Sequence, residues 1–207
     1  LDKGLLLPDT YRLNSDICEF ISSRVYEGRL KSVDIANQRR LLLNSSLVNK
    51  SSGIFYFPVE HQGNEQSSSE EVKAIHRIIE ELLKGKKEDE NGKIKKIQPA
   101  DMLIVSPYNH QIRLLQDALG SKFEIGTVDK FQGREAPIVI ISMAASDIDS
   151  APRGAEFLME KNRLNVALSR AQTLAILVAS SGLNKPIANT SKEMSLVNFY
   201  MDLVDFS

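Results

Sequence analysis

Cysteine is almost absent from this chain. A single residue, Cys18, in 207 excludes an intramolecular disulfide framework and a multi-cysteine metal site, and suits a reducing, cytoplasmic setting. Cys18 itself reads as a small buried hydrophobe. Long apolar runs are missing as well. The longest are strand-sized, short of the ~18 residues of a membrane span, so no association with a membrane is expected. The amino terminus, LDKGLLLPDT, has no initiator Met, no basic region ahead of an apolar block and no cleavage site. It reads as a boundary cut from a longer protein rather than as a signal peptide. Neither charge sign is in excess: the net charge is −1, which argues against a surface that grips nucleic acid by global basicity. The three histidines, His61, His76 and His110, have no partner at metal-ligand spacing, so no metal site is expected from them.

What remains is the make-up of a soluble globular protein, 42% hydrophobic and 26% charged, and its length suits one domain over residues 1–207. Charge is placed unevenly. Positions 161–192 carry five basic residues (Lys161, Arg163, Arg170, Lys185, Lys192) and no acidic one, so a local positive face can exist within a neutral whole.

Hydrophobic periodicity predicts an alternation of strands and helices. Residues 15–26 place Ile17, Phe20, Ile21 and Val25 on one helical face, with Asn14 or Ser15 as the cap. GIFYFPV (53–59) reads as a strand, and Ser67-Ser68-Ser69-Glu70 as the start of the next helix. The charged, glycine-broken stretch 84–98 reads as a solvated loop. Strands follow at 102–106, 123–128, 136–143 and 173–180, with helices over 109–119, 156–171 and 194–204. Strands spaced by helices imply a mostly parallel sheet with helices on both faces, an α/β fold.

Ligands of such sheets sit beyond the carboxyl ends of the strands. Three places there are unusually polar: Ser106-Pro107-Tyr108-Asn109-His110-Gln111, then Thr127-Val128-Asp129-Lys130-Phe131-Gln132-Gly133-Arg134-Glu135, and Arg163-Leu164-Asn165-Val166-Ala167-Leu168-Ser169-Arg170-Ala171. With Thr10-Tyr11-Arg12 near the start, they resemble the second-domain motifs of superfamily 1 helicases, in the branch that includes the nonsense-decay RNA helicase and the Dna-two nuclease-helicase. The resemblance runs from Leu7 to about Gly182 and is carried mostly by TVDKFQGRE followed by RLNVALSRA.

The resemblance implies a RecA-like, P-loop-NTPase-like fold and gives residues roles. Arg170 becomes the arginine finger that meets charge on a transferring phosphoryl group. Arg163, seven residues earlier on the expected helix, projects from the same side. Tyr11 is placed to stack on adenine and Arg12 to meet a phosphate, although this chain has Thr10 before the Tyr and Leu13-Asn14-Ser15 after the Arg where the family often has Gln and Met-His-Pro. A buried Tyr capped by an Arg is the alternative. Gln132, Gly133 and Glu135 fall on the nucleotide side, Gly133 for its backbone freedom. Thr127, Val128 and Asp129 face a nucleic-acid backbone, as do Ser106, Pro107, Tyr108 and Asn109, the last two also able to cap a helix without any ligand. Phe131 reads as core.

No G-x-x-x-x-G-K-[ST] loop is present: Gly92-Lys93 is followed by Ile94, and position 87 is Lys. Nor does IVIISM end in an Asp-Glu pair for Mg²⁺. The expectation is therefore the second RecA-like domain of an ATP-dependent helicase, inactive alone. ATP and Mg²⁺ would be bound mainly by a first RecA-like domain of the same parent chain, and single-stranded nucleic acid, DNA rather than RNA, would be the partner. A catalytically dead binding or assembly module is the rival reading. A nuclease lacks its acidic cluster.

Overall fold

The computed structural model describes residues 7–185, 188 and 190–207. Strand β1 (Asp9–Thr10) leads into helix α1 (Ser15–Val25), capped by the Asn14 side chain, which accepts from the Asp16 amide at 3.0 Å. Short strands β2 (Lys31–Ser32) and β3 (Arg40–Leu42) follow, then β4 (Gly53–Val59) and α2 (Ser69–Lys84). Ser68 caps α2 by accepting from the Glu71 amide at 3.0 Å. Next come β5 (Lys86–Glu88), β6 (Ile94–Lys96), β7 (Met102–Val105), α3 (Asn109–Leu119), β8 (Glu124–Gly126) and β9 (Ala136–Ser142). The chain closes with α4 (Gly154–Leu158), α5 (Lys161–Leu168), β10 (Ala171–Ser180) and α6 (Ser191–Phe206).

The central sheet has five parallel strands in the order β4-β10-β9-β7-β8. Side chains alternate between its two faces, and both faces are covered. Leu103, Val105, Val139, Ile141, Ala175 and Leu177 point into one core with α1, α5 and α6. Met102, Ile104, Ile138, Ile140, Leu174 and Ile176 point into the other, against Ile75, Ile78 and Leu82 of α2 and Leu115 of α3. The fold is the expected RecA-like α/β sandwich. Cys18 and Phe131 are both core residues, 2% and 1% exposed. No described helix is long and apolar enough to cross a membrane.

Two expectations are corrected. The segment 84–98 is not a solvated loop: β5 and β6 form a hairpin whose open edge pairs with β3, making a second, antiparallel three-stranded sheet. Charged residues on a two-sided polar strand carry no alternation to announce it, and long-range pairing with β3 holds it. The single helix expected over 156–171 is two. It breaks at Met159, which is fully buried, and restarts where the Glu160 carboxylate accepts from the amides of Asn162 (3.0 Å) and Arg163 (2.8 Å). It also stops at Leu168, so Ser169 and Arg170 lie in a turn, and Ala171 begins β10.

Candidate nucleotide and nucleic-acid site

Along the sheet, the chain leaves β7 for the edge strand β8 and returns to β9 on the other side of β7. Strand order reverses here, so the loops after these strands diverge and open a crevice. A largely apolar cavity of about 150 Å³ lies in it, lined by Val105, Pro107, Thr127, Val128, Asp129, Ile141, Met143, Phe157, Arg163 and Leu164 among others. Pro107 and Phe157 also wall a second cavity of about 330 Å³ with Gln66, Tyr108, Asn109, Pro152 and Arg153. Val128, Asp129 and Arg163 continue into an open depression of about 380 Å³ with Gln132, Glu160, Asn162, Val166 and Arg170. Residues drawn from three separate motifs thus form one connected surface.

Within it the expected residues fare differently. Ser106, expected to contact a phosphate, is wholly buried, and its hydroxyl accepts from the Tyr108 amide at 3.4 Å. Tyr108 occupies the cap position of α3 but makes no capping bond with its side chain. Its ring is 5% exposed and packs on Phe157 at 5.4 Å, while its hydroxyl donates to the Pro152 carbonyl at 3.4 Å. Burial pushes the Tyr108 phenol up to about 12, so it remains a neutral donor. Asn109 is exposed, as a strand contact requires. Gly133 has φ +79°, but a Cβ there would meet nothing within 4 Å. Its need is therefore conformational, and no close approach of the protein explains it.

Of the residues expected on the nucleotide side, Arg12 and Arg170 lie close to Glu135. Arg12, from the turn after β1, pairs with the Glu135 carboxylate, and its Nη1 donates to the Ser169 carbonyl at 3.4 Å. Gln172 Nε2 donates to the other oxygen of Glu135 at 2.8 Å. Burial alone would raise the Glu135 pKa, but the bonds from Arg12 and Gln172 outweigh it and hold the group below the ordinary glutamate value. Arg170 sits beside them, half-buried, and its Nε is enclosed with no hydrogen-bond partner among the described residues. Burial and then the Arg12 charge lower its pKa, with Glu135 opposing. A guanidinium remains charged there, and its Nε is an enclosed donor left unmatched. Arg163 and Arg170 share the depression, but through a helix and a turn rather than through one continuous helix face. Tyr11 is 70% exposed, which removes the buried, Arg-capped alternative and leaves the ring free to stack.

Sequence reading missed several residues that build the site. Gln172 lies in a strand-sized apolar run, where nothing marks it as a partner of Glu135. Gln111, wholly buried, accepts from the Ser68 amide (2.8 Å) and donates to the Ser68 carbonyl (3.2 Å) and Ser142 Oγ (2.9 Å), tying α3 to α2 and β9. Glu71, also wholly buried, accepts from Ser142 Oγ (2.6 Å), the Ala144 amide (3.0 Å) and His61 Nε2 (3.2 Å). This network fixes the loop leaving β9, where Ala144 has φ +67°.

Residues 2–182 match the family profile AAA_12, an AAA domain. The chain belongs to the AAA-domain branch of the superfamily 1 helicases. This helicase domain is 31% identical over 208 residues to the Drosophila melanogaster protein named Regulator of nonsense transcripts 1 homolog, covering 93% of the chain and 16% of that protein. It is 30% identical over 174 residues to the Gallus gallus DNA replication ATP-dependent helicase/nuclease DNA2, covering 81% of the chain and 16% of that protein. Against the Schizosaccharomyces pombe DNA polymerase alpha-associated DNA helicase A it is 28% identical over 213 residues, covering 95% of the chain and 29% of that protein. The helicase domain thus spans less than a third of the length of these curated relatives.

Proposed function

We propose that this helicase domain is the second motor domain of an ATP-dependent helicase, in which Arg170 is the arginine finger. The observation that carries the reading is the enclosed, unpartnered Arg170 Nε beside the Arg12–Glu135 pair. A cation there meets the charge that builds on a transferring phosphoryl group. Arg12 reaches the same nucleotide once Glu135 releases it or shares it, and the exposed Tyr11 ring stacks on the base. Gln132 and Arg163 line the depression leading to Arg170.

Arg12 and Arg170 are donors that suit the phosphates of a nucleoside triphosphate. In this reading Mg²⁺ and the phosphate-cradling loop belong to a first RecA-like domain of the parent protein, which supplies the G-x-x-x-x-G-K-[ST] motif not found in this sequence. ATP supplies the phosphoryl group whose transfer drives the cycle. This domain's part is to close on it through Arg12 and Arg170 and reopen afterwards. The connected surface through Pro107, Tyr108, Asn109, Thr127, Val128 and Asp129 carries the single strand across the carboxyl ends of the sheet. DNA is the favoured strand, in keeping with two of the relatives named above being DNA helicases by name. The domain alone hydrolyses nothing.

The test is nucleic-acid-stimulated ATPase of the full-length protein with Arg170→Ala. We expect kcat to fall about a thousandfold, the scale seen when an arginine finger is removed, with little change in KM. Wild-type turnover in that variant refutes the finger assignment, whereas absence of nucleic-acid-stimulated ATPase in the unaltered full-length protein favours an inert binding module.

A further inference from the structure

Arg39 lies outside every motif discussed so far, in the short connection between the 3-10 turn Asp34–Gln38 and β3. Its side chain is only 13% exposed. Nη1 donates to the carbonyl of Tyr11 at 3.2 Å and to the carbonyl of Arg12 at 2.8 Å. Nε donates to Glu90 Oε2 at 2.9 Å, and that bond is the first cause holding the Glu90 carboxyl below its usual value. One planar guanidinium therefore spans from the β5–β6 hairpin to the backbone of the two residues expected to touch a nucleotide.

The far end of this bridge is rigid. Glu90 sits in a closed hairpin turn in which Asp89 Oδ1 accepts from the amides of Asn91 and Lys93, both at 3.0 Å, and Gly92 takes φ +75°. The hairpin is in turn fastened to the domain by the buried Ile97, 1% exposed, whose amide donates to the Gly85 carbonyl at 3.2 Å, and by the Lys87–Asp101 pair. Gln172, which holds Glu135 from the other side, lines a small cavity with Arg39 and Glu90.

Tyr11 itself is 70% exposed, so its ring gains no orientation from packing. Its backbone is held instead, and Arg39 binds the carbonyl of Tyr11 itself. We infer that Arg39, braced by Glu90, is a positioning residue that presents Tyr11 and Arg12 to an adenine nucleotide, making the hairpin a functional part of the nucleotide site. This rests on the nucleotide reading of Tyr11, Arg12 and Arg170. Loss of the brace releases the Tyr11 and Arg12 carbonyls, leaving Tyr11 to sample other geometries and Arg12 held only by Glu135, the Ser169 carbonyl and Thr10 Oγ1, so binding weakens before and during reaction alike. Such uniform loss raises KM and spares kcat, the opposite of the Arg170 signature.

Two measurements test it. In the 207-residue chain, Arg39→Met is expected to speed exchange of the Arg12 amide, which donates to Thr10 Oγ1 at 3.3 Å, about tenfold while α1 and the hairpin keep their protection. In the full-length protein, Arg39→Met is expected to raise the KM for ATP about tenfold with kcat within about threefold of wild type. Arg39→Lys should do nearly the same, because one ammonium cannot reproduce the fork. Glu90→Gln, an exposed-edge change that leaves the core intact, should give a smaller rise in the same direction and carries the test if Arg39→Met does not fold.

An unchanged KM in Arg39→Met and Glu90→Gln, while Tyr11→Ala and Arg12→Ala raise it, overturns the positioning role and leaves the nucleotide site standing. If Tyr11→Ala and Arg12→Ala also leave KM unchanged, the nucleotide reading has failed and the positioning role falls with it. A kcat loss in Arg39→Met equal to that of Arg170→Ala likewise overturns it.

Discussion

Replacing Glu71 by Ala should be among the most damaging single changes in this domain. The side chain has no exposure and is held by Ser142 Oγ, the Ala144 amide and His61 Nε2. These losses are not equal. Ser142 keeps Gln111 as a donor to its hydroxyl, so it loses one bond of two. The Ala144 N–H is the costly one, because it lies on a buried backbone with positive φ and cannot turn to water. An orphaned buried donor costs about 1–3 kcal/mol, and the buried His61 ring loses its partner at Nε2 while keeping Ser146 Oγ at Nδ1 (2.8 Å). Adding the void left by four heavy atoms gives about 3–5 kcal/mol in all, the range for removing one partner of a buried polar pair. Urea unfolding followed by far-ultraviolet circular dichroism measures this directly, since the chain has no Trp. Glu71→Gln, which keeps one acceptor oxygen, should lose roughly half as much. A loss under about 1 kcal/mol for Glu71→Ala would show that the loop after β9 is held by packing alone.

Two further outcomes are expected. Glu160→Ala removes the cap that restarts α5 and should cost about 1 kcal/mol, measured by the same unfolding curves, with a fall in ATPase of the full-length protein because Arg163 moves with the helix. An unchanged stability would mean that Met159 packing alone sets the break. The second concerns pH. Glu135 titrates below its ordinary value of 4.5 in the folded domain, so its pairing contributes stability that is full above that value and is lost as pH falls through the lower folded pKa. The stability gap between wild type and Glu135→Gln should therefore stay level down to about pH 4.5 and shrink below it. A gap that widens on acidification contradicts the Arg12–Glu135 pairing.

Local chemistry determined a good deal of this domain without any coordinates. Continuous apolar runs could only be strands buried on both faces, and MLIV, APIVIIS and AQTLAILVAS are such strands. Asn14 and Ser68 cap helices because short polar side chains can reach an amide two or three residues on. The family resemblance had put Gln132, Arg163 and Arg170 on the nucleotide side, and all three line one depression. The structure added what depends on contacts distant in sequence. Hairpin 86–96 is charged on both faces, so only its pairing with β3 reveals it as sheet. The break at Met159 depends on a burial that helical periodicity does not encode. Arg12 and Glu135 are 123 positions apart, and Arg39 and Glu90 are 51 apart. Charge pairs at such separations leave no periodic trace in a chain, because they form only after the sheet has brought their loops together.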